Sequence, residues 1–202
     1  MADGTASRRS TTDATSMLTM SGGSSMSDGS STGRTRAGAI AVLDPVDLLA
    51  VRQHGVVSRW QMRALGLSSA AVRSRADARV WTTVTDEVLV RVGSHPGPAQ
   101  RAMAAVLDAG PGAVLSFQSG AAWYRVAGAQ MSTVHTLSTV HSRRRSVLSD
   151  VHIVRVVPAP RVTVLDGIPI ARPELIALHL FASEPPARAE RWVERMWSMR
   201  LL

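Results

Sequence analysis

Residues 58–79 read SRWQMRALGLSSAAVRSRADAR, and the punctuation of this stretch decides how the chain around it is read. Ser58 is placed to cap a helix of Arg59-Trp60-Gln61-Met62-Arg63-Ala64-Leu65 closed by Gly66, and Ser68 to cap the next, from Ser69 to about Ala78. Upstream, Asp44-Pro45 is an N-cap followed by proline in the first turn, with Val46, Leu48, Leu49 and Val51 giving an apolar side until His54-Gly55. Three short helices, the middle one ending in glycine before the next cap, describe a helix-turn-helix. Downstream, Val80-Trp81-Thr82-Thr83-Val84 and Val88-Leu89-Val90-Arg91-Val92 are β-branched runs on either side of Thr85-Asp86-Glu87. A hairpin directly behind a helix-turn-helix is a wing, so residues 44–93 are predicted to form a winged helix.

His95-Pro96-Gly97-Pro98 interrupts this pattern and predicts a link to a second unit over residues 98–202. Residues 99–109 read as a helix with Ala102, Met103, Val106 and Leu107 on one side, ended by Gly110-Pro111-Gly112. Ser116 or Ser119 is placed to cap another helix through Tyr124. The period then falls to two: Val134-His135-Thr136-Leu137 and Val151-His152-Ile153-Val154-Arg155-Val156 read as strands around a charged hairpin tip, Ser142-Arg143-Arg144-Arg145-Ser146. Val162-Thr163-Val164-Leu165 and Ile168-Pro169-Ile170 flank Asp166-Gly167 as a further hairpin, and helices follow over 173–182 and 186–199. The predicted fold class is α+β: an N-terminal winged helix-turn-helix followed by a small α+β domain. Residues 1–38 hold 9 Ser, 7 Thr and 6 Gly, too little apolar surface to offset ordering, and are expected to be a disordered tail. Met17, Met20 and Met26 lie inside it and leave a start downstream of Met1 open.

Composition narrows the function classes. All 23 basic residues of the 202 are Arg, against 15 acids, for a net charge of +8. Without Lys there is no Schiff-base, P-loop or Ser-Lys chemistry, and without Cys no disulfide, thiol nucleophile or thiolate metal site. No apolar run approaches the roughly 18 residues of a membrane span, and Arg8-Arg9 lead into Ser and Thr instead of a signal-peptide core, so a cytoplasmic location is expected. The six-residue gap from His135 to His141, with His152 beyond, fits no metal-ligand spacing, and no Gly-x-Ser-x-Gly elbow is present; neither a metal, a cofactor nor a catalytic residue is expected. The five Trp are scattered as core anchors are, unlike a base-stacking platform.

An isoelectric point near 11.6 favours an anionic partner. Between Arg52 and Thr82 six arginines face one acid, Asp77. With Val72 and Ala76 turned to the core, Ser69, Arg73 and Ser74 are left on the outer side of the third helix, where Arg73 is placed to read bases in a major groove. Arg59, Arg63, Arg75 and Arg79 are then the phosphate contacts, and with Arg73 five engaged guanidinium groups correspond to a salt slope of about −4 to −5. The acidic turn Asp86-Glu87 runs against this, since a wing along phosphates is expected to be basic or neutral; it suits a protein contact instead. The Arg143-Arg144-Arg145 run reads either as a phosphate or RNA contact or as a solvated turn. A competing class is a protein-interaction module, in which the acidic wing and Trp192, Met196, Trp197 and Met199 of the last helix face a partner; a homodimer is one such arrangement.

From about Leu48 to Arg195 the chain resembles the AbiEi-like antitoxins, especially their actinobacterial winged-helix relatives. The carrying residues are Arg52-Gln53-His54-Gly55-Val56-Val57-Ser58 with Leu65-Gly66-Leu67-Ser68, then residues 105–116, AVLDAGPGAVLS, with Ser119-Gly120-Ala121-Ala122, and last Val164-Leu165-Asp166-Gly167-Ile168-Pro169-Ile170. Their order and spacing together carry the resemblance. It implies a transcriptional autorepressor on its own promoter, the antitoxin of a type IV toxin–antitoxin system beside a nucleotidyltransferase-like toxin that it opposes without necessarily binding it. Where such relatives usually have His after the serine at 116, this chain has Phe117; where they tend to be basic across the wing, it has Thr82, Thr83, Thr85, Asp86 and Glu87. Some relatives continue into a Vsr-like endonuclease domain, which the 202 residues do not include, so the resemblance implies no nuclease activity and leaves an inactive truncated relative as an alternative.

Overall fold

The computed structural model describes residues 44–140 and 146–202. The expected tail over 1–38, and His141, Arg143, Arg144 and Arg145, lie outside the described residues. The chain order begins α1 (Pro45–Arg52), β1 (Val56–Ser58), α2 (Arg59–Ala64), α3 (Ser69–Asp77), β2 (Trp81–Thr83) and β3 (Val88–Arg91). Three of the caps anticipated from sequence form: Asp44 accepts from Val46 N at 2.8 Å, Ser58 from Gln61 N at 3.2 Å and Ser68 from Ala71 N at 3.2 Å; Ser116 stands at its helix start but makes no side-chain cap bond. Gln61 answers by accepting from Ser58 N at 3.0 Å, which completes a capping box.

Strand β1 was not expected. It pairs antiparallel with β3, so the sheet runs β1-β3-β2. All three of its residues are buried, which erases the alternation by which a strand announces itself. On one face of this sheet Val57 and Leu89 join Val46, Ala50, Met62, Val72, Ala76 and Trp81 beneath the helices. Val56 and Val88 belong to the other, larger core.

That core is built on α4 (Pro98–Ala109). A helix with one apolar side was expected; instead residues 102–109 are all buried. The cause is position, because α4 packs on β1 and β3 of the first sheet and on strands of a second. Ala102, Ala104, Ala105 and Ala109 keep it slim enough to sit between them. Its one buried acid, Asp108, accepts from Thr85 Oγ1 and Ser146 Oγ, both at 2.7 Å, and from Val147 N at 3.0 Å.

The second sheet contains β4 (Val114–Leu115), β5 (His135–Ser138), β6 (Asp150–Ile153), β7 (Val162–Leu165) and β8 (Ile168–Ala171), in the order β6-β5-β4-β8-β7. β5 and β6 are parallel, pairing His135 with Asp150 through to Ser138 with Ile153. Parallel neighbours cannot be the two arms of a hairpin, so the expected hairpin of these strands is corrected. The β7–β8 hairpin does form, with Leu165 opposite Ile168 and φ of +52° at Asp166 and +78° at Gly167, the signature of a type I′ turn. Helix α5 (Phe117–Trp123) lies between β4 and β5 in the chain, and α6 (Pro173–Ser183) and α7 (Pro186–Ser198) follow β8.

All the described residues fall in one compact unit, Ala41–Leu202. Trp60 Nε1 donates to the Leu107 carbonyl at 3.2 Å, His54 Nε2 to the Asp166 carbonyl at 2.7 Å and Gln100 Nε2 to the His54 carbonyl at 3.1 Å, so bonds cross the expected linker repeatedly. The partner-facing set on the last helix is also corrected: Trp192 and Met196 are in the core, at 5% and 0% exposure, and only Trp197 and Met199 are exposed. The helix turns a 13-residue amphipathic face inward, and Trp197 falls on its other side. No helix among the described residues is long and apolar enough to cross a membrane.

Candidate nucleic-acid interface

The turn between α2 and α3 is set by Gly66 at φ +90°, with the Gly66 and Leu67 amides donating to the Arg63 and Met62 carbonyls. Val72 and Ala76 anchor α3 in the first core, as their spacing predicts. Ser69, Arg73 and Ser74 are exposed on its outer side, and Arg79 is exposed just beyond its end. Asp77, one turn on from Arg73, is exposed on the same face and lowers its positive potential.

The other predicted contacts are committed elsewhere. Arg75 holds Asp44 with two bonds, 3.1 and 2.7 Å long, so the N-cap of α1 is also clamped to α3. The Asp44 carboxyl is held below its ordinary range, first by that guanidinium bond. Arg63 reaches both Glu87 oxygens at 3.4 and 3.3 Å. Arg59 is half-buried, and its Nε has no hydrogen-bond partner among the described residues. Of the six arginines anticipated as a single cationic surface, Arg63 and Arg75 are thereby taken up by carboxylates, which leaves Arg73 and Arg79 exposed on and just beyond α3, Arg59 half-buried on α2 and Arg52 exposed at the end of α1. Sequence reasoning missed both pairs because Asp44 and Glu87 lie 31 and 24 residues from their arginines.

The acidic turn finds its explanation inside the chain. Glu87 pairs with Arg63, and Thr85 Oγ1 bonds Asp108 on α4 while accepting from Val88 N at 3.1 Å. This turn is thus docked on the protein's own central helix.

A second cluster gathers residues whose sequence spacing suggested nothing. Phe117, at φ +53°, stacks between His152 and His179 with ring centroids 3.7 and 4.5 Å away. His135 Nδ1 lies 3.2 Å from His152 Nε2, and His179 Nδ1 shares a 2.8 Å hydrogen bond with Ser116 Oγ. Burial is the main cause that pushes the His152 and His179 pKa values down, with His135 and His152 respectively as the next contributors. Ser116 has no exposed surface, so its bond to His179 locks packing between α5 and α6 and leaves no nucleophile at the surface. Among the described residues no three His, Asp or Glu side chains are placed to hold a metal ion together. Comparison with known proteins finds no family model and no curated protein that matches the chain.

Proposed function

We propose that this protein is a winged-helix, DNA-binding transcription regulator, and that it acts on its own promoter as the antitoxin partner of a nucleotidyltransferase-like toxin. One observation carries the reading: α3, entered through a glycine turn and seated by Val72 and Ala76, presents Ser69, Arg73 and Ser74 to solvent in front of a β1-β3-β2 antiparallel sheet. A helix with its side chains is about 10–12 Å across, which a major groove about 12 Å wide admits. Arg73 reads guanine edges in this reading, while Arg79 and Arg59 neutralise phosphates; Arg63 and Arg75 would have to give up carboxylates to do so. The toxin link rests on the resemblance to the AbiEi-like antitoxins alone.

The test is the salt dependence of binding to duplex DNA from the chain's own upstream region, followed by fluorescence anisotropy. Three engaged guanidinium groups predict a slope of log K against log salt of about −3, shallower than five would give. Glu87→Gln releases Arg63 and steepens that slope by about one. Arg73→Ala weakens binding by about 1–3 kcal/mol on the preferred duplex and much less on a scrambled one. A flat salt response, or equal losses on both duplexes, rejects the reading.

A further inference from the structure

The imidazoles of His135 and His152 meet at the rim of the second sheet, where β6 is the outermost strand and β5 its neighbour. Their Nδ1 and Nε2 atoms are 3.2 Å apart, with ring centroids separated by 5.5 Å and ring planes inclined at 43°. Both residues are half-buried and keep part of their surface in solvent. Neither ring is free to drift. Four consecutive pairs of the parallel ladder fix the two backbones, Ser119 Oγ accepts from the His135 amide at 2.8 Å, and Phe117 stacks on His152 at 3.7 Å.

The separation of these nitrogens is the one that a single small cation demands of two ligands. Bonds of about 2.0–2.1 Å to nitrogens 3.2 Å apart enclose an angle of about 100°, close to the tetrahedral value. One N–H and one lone pair face each other while the rings are hydrogen-bonded to one another. A change of tautomer in one ring, which moves its proton to its other nitrogen, turns both lone pairs inward with no change of charge. Asp150 stands in register with His135 and two residues before His152, so the three share one face of the sheet. It is exposed and takes part in no ion pair among the described residues. Its carboxylate is not placed to join the two nitrogens as a third ligand, but its charge favours a cation beside them.

We propose that His135 Nδ1 and His152 Nε2 form a two-histidine site for a divalent first-row transition cation of the kind imidazole favours, Zn²⁺ foremost, with water completing its shell. Neutral imidazole is the ligand that suits such ions, whereas the hard cations Mg²⁺ and Ca²⁺ require oxygen and are not held by this pair. With two protein ligands and a solvent-facing side, the site takes up and releases its ion by exchange, unlike a closed structural centre of four protein ligands. The ion ties the outermost strand β6 to β5, so it binds the folded chain in preference to the unfolded one and stabilises it.

The test needs no DNA. The full chain, ¹⁵N-labelled and carrying no affinity tag, is titrated with Zn²⁺ and, as a control, with Mg²⁺, while calorimetry follows binding and NMR follows the histidine ring nitrogens. Expected are saturable binding of Zn²⁺ alone, a higher thermal midpoint in its presence, and movement of the His135 Nδ1 and His152 Nε2 signals while those of His54 and His95 stay in place. His135→Asn and His152→Phe, the latter keeping a ring against Phe117, each lower the affinity by at least about 10-fold, the least that loss of a mere supporting contact costs at metal sites. His95→Asn, at an exposed position before α4, leaves it unchanged. Absence of saturable Zn²⁺ binding, ring signals of His135 and His152 that do not move, or full affinity in either of the first two variants overturns the site and leaves the pair a hydrogen bond only. Should either variant fail to fold, the ring-nitrogen signals of the unaltered chain decide the matter by themselves.

Discussion

Phe117 shows what a single residue can be made to do. It adopts a left-handed backbone at the start of α5, a conformation costing an L-residue roughly 1–2 kcal/mol, and its ring stacks on two imidazoles whose pKa values burial lowers. The consequence for stability has a definite sign. His152 and His179 have pKa values below 6.5 in the folded chain, so the unfolded chain binds more protons in the window between those lowered values and 6.5. Stability is therefore complete above about pH 6.5, falls as the pH drops from there toward the lowered values, and levels off beneath them. Asp44 acts in a separate and more acidic window, because its lowered pKa makes the stability it contributes disappear only below the ordinary carboxylate range. A thermal melt should have a lower midpoint at pH 5 than at about pH 7.5, and His152→Phe, which keeps a ring on Phe117 and removes one titrating group, should shrink that loss. An undiminished loss in the variant would place the pH response elsewhere. None of this was legible from spacing: His135, His152 and His179 come from β5, β6 and α6, and only the parallel pairing of β5 with β6 brings the first two within 3.2 Å.

At the scale of elements, the β7–β8 hairpin has a second task besides pairing its own strands. Its tip sits against the end of α1: the Asp166 carbonyl accepts from His54, and a Cβ added to Gly167 would come within 2.8 Å of the Arg52 carbonyl oxygen. Backbone cannot step aside as the end of a side chain can, and φ of +78° strains any other residue there. Gly167→Ala should cost about 2–3 kcal/mol in urea unfolding, whereas Gly66→Ala, at φ +90° but with no atom within 4 Å of the new Cβ, should cost about 1 kcal/mol. Equal midpoints for the two variants would mean that the hairpin tip does not bear on α1. This hairpin was legible in advance, as were the helices that begin on Asp44-Pro45, Ser58 and Ser68, because caps and Asp-Gly turns are local signals that tertiary packing leaves intact. β1 and β4, at three and two residues, are too short to show a period, and α4 lost its one-sided pattern by being enclosed. Parallel pairing leaves no local mark at all, so β5 and β6 were read as the two arms of a hairpin.

For the whole molecule, the decisive fact is that the elements carrying α3 do not own all of their core. Val56 and Val88, both 0% exposed, are buried in the cluster built around α4, and half-buried Trp60 packs against the same cluster. Uncovering these three side chains would forfeit on the order of 4–8 kcal/mol of apolar burial, which is comparable to the entire stability of a small domain. The Thr85–Asp108 and Trp60–Leu107 bonds would go with them. A guanidinium site legible as a run of arginines is, for the same reason, read wrongly when the run is considered alone: the carboxylates that claim Arg63 and Arg75 are supplied by the turn before β3 and by the cap of α1, and the former is held in place from α4. The described residues should accordingly unfold as one cooperative unit, with far-ultraviolet circular dichroism and tryptophan fluorescence tracing a single coincident transition. A fragment of residues 44–97, which keeps every element of the proposed DNA reader but lacks α4, should show no cooperative melt and should bind upstream DNA at least tenfold more weakly than the full chain. A fragment that melts sharply and binds with full affinity would mean that the three-stranded sheet is self-sufficient, and that the second sheet is an attachment instead of a foundation.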